Sequence, residues 1–240
     1  MSAPADLPYV GNELELFAHA RNWKQYWGAI LRPCLSGDVL EVGAGLGTNT
    51  RLLHGAPSSS VRRWVALEPD SRLLDQLRSA TLEKVEPRLG TLANLDASEL
   101  FDTILYIDVL EHIPDDAAEL RRSAAHLRAH GRLIVLSPAH QWLFSPFDAA
   151  IGHHRRYTRK SLKQTAEGIG SLRLERVWYL DSLGFFASAA NRLLLHQSMP
   201  ALRQILFWDR FLVPISRLVD PLLFHRFGKS VIGVWTRPTD

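Results

Sequence analysis

A chain of 240 residues, 46% hydrophobic and 22% charged, holds one large α/β domain with a sizeable core and excludes a disordered or collagen-like polymer. A lone Cys34 excludes an internal disulfide framework and fits a cytoplasmic protein, while an acidic opening and the lack of any charge-free run of about 18 residues lead us to expect neither a secretory leader nor a transmembrane helix. The net charge of +3 is unevenly spread: residues 1–120 carry 10 Lys/Arg against 18 Asp/Glu, and residues 121–176 carry 11 against 3, which suits a cationic or hydroxyl-rich ligand first and an anionic partner later, or solvated helix faces in both.

Along the chain, Leu14, Phe17, Ala18, Trp23, Trp27 and Ile30 fall near helical spacing and predict one amphipathic helix over 12–32. Residues 38–42 read as a short apolar strand running straight into glycines, with a helix over 48–54 behind them. A second strand over 63–67 ends at Glu68-Pro69-Asp70, and 71–80 predicts a helix with Leu73, Leu74 and Leu77 on one face. A weaker third strand is expected over 85–89. A fourth, 102–107, is apolar on consecutive residues and should be buried on both faces. A helix over 115–129 leads to a fifth strand at 131–136. Beyond it, 137–160 reads as a long loop with helical pieces and 158–168 as a helix. Two final strands at 172–180 and 230–236 form a hairpin that encloses inserted helices over about 183–227.

Alternating strands and helices predict a doubly wound, mostly parallel seven-stranded α/β sheet. We expect a single domain over 1–240: a helical cap at 1–35, a cofactor-binding core at 36–137 and an acceptor side at 138–240. Right-handed crossovers then bring the glycine turn, Glu68 and Asp108 to the carboxyl ends of the central strands, where such sheets bind ligands.

The turn Glu41-Val-Gly43-Ala44-Gly45-Leu-Gly47 lets the backbone approach a ligand closely at the start of a helix. NAD-binding domains use a similar turn. Here the spacing is G-x-G-x-G, Glu41 precedes the first glycine by two residues, and Glu68 is placed to accept two ribose hydroxyls. The fourth strand continues as Tyr106-Ile-Asp108-Val-Leu-Glu111-His112-Ile-Pro114. Over residues 38–137 these motifs resemble class I S-adenosylmethionine-dependent methyltransferases of the ubiquinone- and menaquinone-biosynthesis type (methyltransferase types 11 and 12). The resemblance implies a Rossmann-like fold and S-adenosylmethionine as cofactor. It also implies that Glu41, Gly43, Ala44, Gly45 and Gly47 line the methionine and ribose, that Glu68 holds the ribose, that Thr91 and Leu92 flank the adenine, and that Asp108 lies by the methionine end. No acid follows the third strand, so a backbone carbonyl or Asn94 is left to meet the adenine amino group.

Methyl transfer is a one-step displacement that needs mainly alignment, and a base only where the acceptor must lose a proton. His112, Asp108 and His153 are the candidate catalytic groups. The run Gly152-His153-His154-Arg155-Arg156-Tyr157 offers Arg155, Arg156 and Tyr157 to an anionic acceptor, or is a solvated basic loop. No metal site is expected, because adjacent histidines rarely chelate together. The inserted region, rich in Leu, Phe and Trp (among them Phe185, Phe186, Leu194, Leu195 and Trp208), is core, a lid over an apolar acceptor, a homodimer face, or a peripheral membrane contact with Arg203, Arg210 and Arg217 at the headgroups. The expected activity is methyl transfer to oxygen of a small, amphipathic or anionic acceptor in the cytoplasm, with no nucleic-acid partner. An NAD(P)-dependent oxidoreductase and a non-catalytic binding module remain as alternatives.

Overall fold

Strands β1 (Ser36–Val42), β2 (Ser60–Glu68), β3 (Val85–Leu89), β4 (Phe101–Ile107), β5 (Leu127–Pro138), β6 (Arg173–Leu180) and β7 (Ser230–Thr236) pair into one seven-stranded sheet. The computed structural model describes residues 6–11, 13–54, 60–79, 82–195 and 201–239, with the side chains of Leu194 and Leu195 and residue 80 of the predicted helix outside that set. The order is β3-β2-β1-β4-β5-β7-β6. The first five strands are parallel, and β7 runs antiparallel between β5 and β6. The central strands carry apolar residues consecutively, because each of their faces meets a helical layer: β4 is buried at six of seven positions and β7 at all seven.

The helices are α1 (Glu13–Ala18), α2 (Arg21–Leu31), α3 (Thr48–His54), α4 (Ser71–Ser79), α5 (Asp116–Ala125), α6 (Pro146–Ala150), α7 (Arg159–Glu167), α8 (Ser182–Ala190), α9 (Leu202–Phe207) and α10 (Val213–Leu222). One core layer joins α2, α3 and α4 to the sheet through Trp23, Trp27, Leu53, Trp64 and Leu77, and draws in Ile205 and Trp208. The other face is covered by α5 and α7 through Leu120, Ala124, Leu162 and Ala166.

Two predicted boundaries are corrected. The N-terminal helix breaks at His19-Ala20, where Ala20 takes φ −77°, ψ 67°. The apolar spacing runs across the break, and no proline or glycine marks it. The helix expected over 115–129 stops at Ala125: the His126 carbonyl accepts the Phe101 N–H (2.8 Å), and Leu127 already pairs with Phe101. A register shift follows, with His130 at φ 62°.

Three buried carboxylates fix the inserted helices. Asp181 (φ 67°) caps α8 and accepts from Trp208 Nε1 and Ser216 Oγ, both at 2.7 Å. Asp220 accepts from the Tyr26 hydroxyl and the backbone N–H groups of Asp181 and Ser182. Asp209 accepts from Asn22 and from the Trp23 N–H at the start of α2. Each acid is satisfied by several donors, as burial of a carboxylate demands.

Candidate cofactor and acceptor site

β2, β1 and β4 lie side by side, so the chain leaves them at Glu68, Gly43 and Asp108 around one crevice. The glycine turn has φ of 68° at Gly43, 54° at Gly45 and 70° at Gly47, conformations that disfavour any Cβ. The three are not equivalent. A Cβ on Gly43 would strike Val109 at 2.6 Å and one on Gly47 would strike Leu77 at 2.2 Å, whereas one on Gly45 would project into open space, with Leu14 its nearest neighbour at 3.7 Å. Gly43 and Gly47 therefore serve close packing, and Gly45 leaves room for a ligand. Glu68 braces the turn. One of its oxygens accepts the Gly45 N–H at 2.8 Å and the other the Asp70 N–H at 2.9 Å. Burial pushes its carboxyl upward against those bonds.

The crevice opens into a cavity of about 1490 Å³ lined by Gly43, Ala44, Gly45, Glu68, Thr91, Asp108, His112, His153 and Arg156. These are nine of the residues that the sequence nominated. Glu41, Gly47, Leu92, Arg155 and Tyr157 are not among its lining residues. Glu41 lies beneath the turn, where its carboxylate accepts from Thr50 Oγ1 (2.6 Å) and Trp64 Nε1 (3.0 Å), and burial pushes it up to about 7. Leu92 packs in the layer under α5. Asn94 bonds Thr91, closing a short turn rather than facing the cavity.

In the segment expected to meet an acceptor, Arg155 donates to the Pro114 carbonyl and pairs with Asp116 at 2.7 Å, and the Tyr157 hydroxyl reaches the same carboxylate. Arg156 makes two bonds to Asp148, at 2.8 and 2.9 Å. Two arginines that could have clamped an anion are thus matched by the chain's own acids. His153 Nδ1 lies 3.0 Å from Asp148 Oδ1. Burial alone would raise the Asp148 carboxyl, but His153 and Arg156 hold it well below the usual range. An ionised carboxylate only accepts, so His153 donates to it from Nδ1, leaving Nε2 as the ring nitrogen turned away from Asp148. That Nε2 faces Glu111 Oε1 at 3.9 Å. Glu111 is fully buried, its Oε2 accepts from Ser137 Oγ at 2.9 Å, and Oε1 has no partner. Burial and the nearby Asp108 push the Glu111 carboxyl well above its ordinary value. His112 packs edge-on against His153, with ring centres 4.5 Å apart, and burial takes its pKa down to about 4. Glu111, His112 and His153 bring potential ligand atoms within 4.8 Å of one another, a grouping that the run of adjacent histidines did not suggest. Asp108, at φ 54°, is exposed to the cavity yet ringed by protein, which pushes its carboxyl up to about 6.

Sequence reasoning missed Lys24 and Lys229. Lys24 reaches into the cavity from α2 and donates to Thr48 Oγ1 at 2.8 Å, with burial drawing its amine down to about 8. Lys229 stands 4.1 Å from the Trp208 ring centre, and burial lowers it too. Neither belongs to a motif, and only the fold brings them to one cavity. The N-terminal segment roofs this end: Tyr9 donates its N–H to Asp70 at 2.6 Å and its hydroxyl to Glu13, and Leu7 pairs with the Pro69 carbonyl. Phe17, Phe147 and Trp208 form an aromatic wall, with ring centres 6.3 to 6.5 Å apart.

A family model described as a methyltransferase domain matches residues 17–171. The chain is 30% identical over 119 residues to the ubiquinone biosynthesis O-methyltransferase of Bradyrhizobium diazoefficiens, covering 45% of this chain and 43% of that one. It is 32% identical over 115 residues to the Mycobacterium tuberculosis protein named "Probable S-adenosylmethionine-dependent methyltransferase", covering 47% and 39%. The chain thus spans less than half the length of either relative. The solved structure of Haemonchus contortus phosphoethanolamine N-methyltransferase 2, in complex with S-adenosylmethionine, superposes with a TM-score of 0.61 at 13% identity, covering 95% of this chain and 58% of that one. At that identity the likeness is one of fold.

Proposed function

This chain belongs to the methyltransferase domain family, and from that premise we propose that it moves the methyl group of S-adenosylmethionine to an oxygen of a small amphipathic acceptor. The observation that carries this reading is the single cavity joining the glycine turn to the Asp148–His153 pair and the aromatic wall. S-adenosylmethionine supplies an electrophilic methyl on its sulfonium. Glu68 takes the ribose hydroxyls, the open backbone at Gly45 gives the ligand room, and Lys24 meets the methionine carboxylate. These residues suit that cofactor, because the one glycine of the turn whose Cβ would meet open space is the one that Glu68 holds in place. The family match leaves the nicotinamide alternative without support.

His153 takes the acceptor's proton at Nε2. The Asp148 carboxylate orients the ring and stabilises the imidazolium that results. His112, with its pKa near 4, is too weak a base at neutral pH and instead packs beside His153. The acceptor's apolar body lies against Phe17, Phe147 and Trp208, with Lys229 next to a polar or anionic head. The oxygen assignment draws on the O-methyltransferase name of the Bradyrhizobium relative. The test is S-adenosylhomocysteine release with matched phenol, amine and thiol acceptors. Phenols should turn over fastest, and His153→Asn should lower kcat by about 10²–10⁴ with cofactor affinity unchanged. Equal or better turnover of amines, or full activity in His153→Asn, would overturn it.

A further inference from the structure

We propose that the helical excursion between β6 and β7 is the face by which this protein sits on an anionic lipid surface. From Leu202 to Leu222 the helix runs on without a break through a wider turn at Trp208–Leu212. It carries two apolar faces. Ile205, Trp208, Val213, Ser216 and Asp220 recur every three to five residues and are buried against the protein. On the opposite side Phe207, Phe211, Ile215, Leu218 and Leu222 recur every three or four residues and are exposed, Leu218 at 73% and Leu222 at 76%. A helix apolar on both sides normally has something covering each.

The charges say what covers the second. Arg203, Arg210 and Arg217 are spaced by seven, and so form a row along one edge of the exposed stripe. All three are exposed, and none is within ion-pair distance of a carboxylate among the described residues. The only acids from Ser182 to Lys229 are Asp209 and Asp220, both buried and hydrogen-bonded inward. Apart from Gln204, the exposed residues from Leu202 to Leu222 are therefore apolar or cationic, the complement of lipid phosphates over acyl chains. An antiparallel two-fold contact through this face would set the arginine row against itself, with no exposed acid of the excursion to answer it. Arg203 and Phe207 also line the cavity, so its mouth opens at the same face. The inference needs none of the catalytic assignments and stands or falls without them.

The test is co-flotation of the full chain with vesicles of phosphatidylcholine, alone or mixed with phosphatidylglycerol. We expect strong binding to the mixed vesicles, weakened by high salt, and little to phosphatidylcholine. Replacing Arg203, Arg210 and Arg217 by Ala should lower that binding by about 100-fold, at about fivefold per arginine. Phe211→Ser with Leu218→Ser should abolish it while leaving the melting temperature unchanged, as both side chains are exposed. The idea is overturned if the protein ignores the mixed vesicles, or if either variant binds like the parent. A concentration-dependent dimer in sedimentation, lost in Phe211→Ser/Leu218→Ser, would overturn it too and make this face a subunit interface.

Discussion

Gly45 separates two effects that a glycine motif usually confounds. Its φ of 54° strains any side chain, while the space beyond it is open. Gly45→Ala should lose about 1–2 kcal/mol of stability from backbone strain, whereas Gly45→Val should fold and yet fail to bind S-adenosylmethionine. Chemical denaturation and calorimetry read the two separately, and an intact Kd in Gly45→Val would remove this glycine from the site. Glu68→Gln keeps the shape and loses the charge that would face the ribose, so cofactor binding should weaken by about 1.5–3 kcal/mol; an unchanged Kd by calorimetry would count against Glu68. His112 makes a prediction in pH. Its pKa is about 4 in the fold against about 6.5 unfolded, so between those values the unfolded chain binds the extra proton. The stability it contributes is whole above about pH 6.5 and is lost as pH falls toward 4. The melting temperature of His112→Asn should therefore fall less steeply than the parent's across that window. That the glycine turn and Glu68 meet was legible in the sequence, because both follow strands that lie side by side. The roles of Arg155, Arg156 and Tyr157 were not. Their partners, Asp116 and Asp148, stand up to 41 residues away in sequence, and an arginine looks the same on paper whether its counter-ion is a substrate or a neighbouring carboxylate.

Among the elements, the parallel strands were easy to read because burial on both faces leaves an unbroken apolar run, and the glycine-to-helix turn located the first crossover. The inserted helices were legible as apolar mass and no more. What holds them is a set of three acids, Asp181, Asp209 and Asp220, which composition would have placed on the surface. Asp220→Ala would strand the Tyr26 hydroxyl and two backbone N–H groups, and should cost at least about 3 kcal/mol at about 1–3 kcal/mol for each orphaned donor. Asp220→Asn retains one accepting oxygen and should cost less. Urea denaturation of the pair decides the matter, and equal, small losses would mean that the insertion is held by its apolar contacts alone. The break at His19-Ala20 escaped prediction for a similar reason. Just past it Asp209 accepts the Asn22 and Trp23 N–H groups from 187 and 186 residues away in sequence, and that anchor belongs to tertiary packing.

At the scale of the whole molecule, three of the stretches that bound the cavity lie far apart in sequence: Leu7 to Val10 with Glu13, Leu14 and Phe17 as a roof, the strand ends as a floor and the insertion as a side wall. A ligand touching all three should stiffen them together. S-adenosylhomocysteine at about 100 times its Kd should add about 2.7 kcal/mol to the unfolding free energy and slow proteolytic cutting within the roof; protection without that stabilisation, or the reverse, would mean that the roof is not part of the ligand's enclosure. The insertion has a further consequence, for how such a chain diversifies. Leu180 and Ser230 are register partners across β6 and β7, so the excursion leaves and re-enters the sheet at a single point. Everything between is a cassette, and a protein engineer or a lineage could exchange it without disturbing a rung of the sheet. The exchange carries one condition. The socket presents the Tyr26 hydroxyl and the Asn22 and Trp23 N–H groups, so any replacement must arrive with carboxylates in the positions of Asp209 and Asp220.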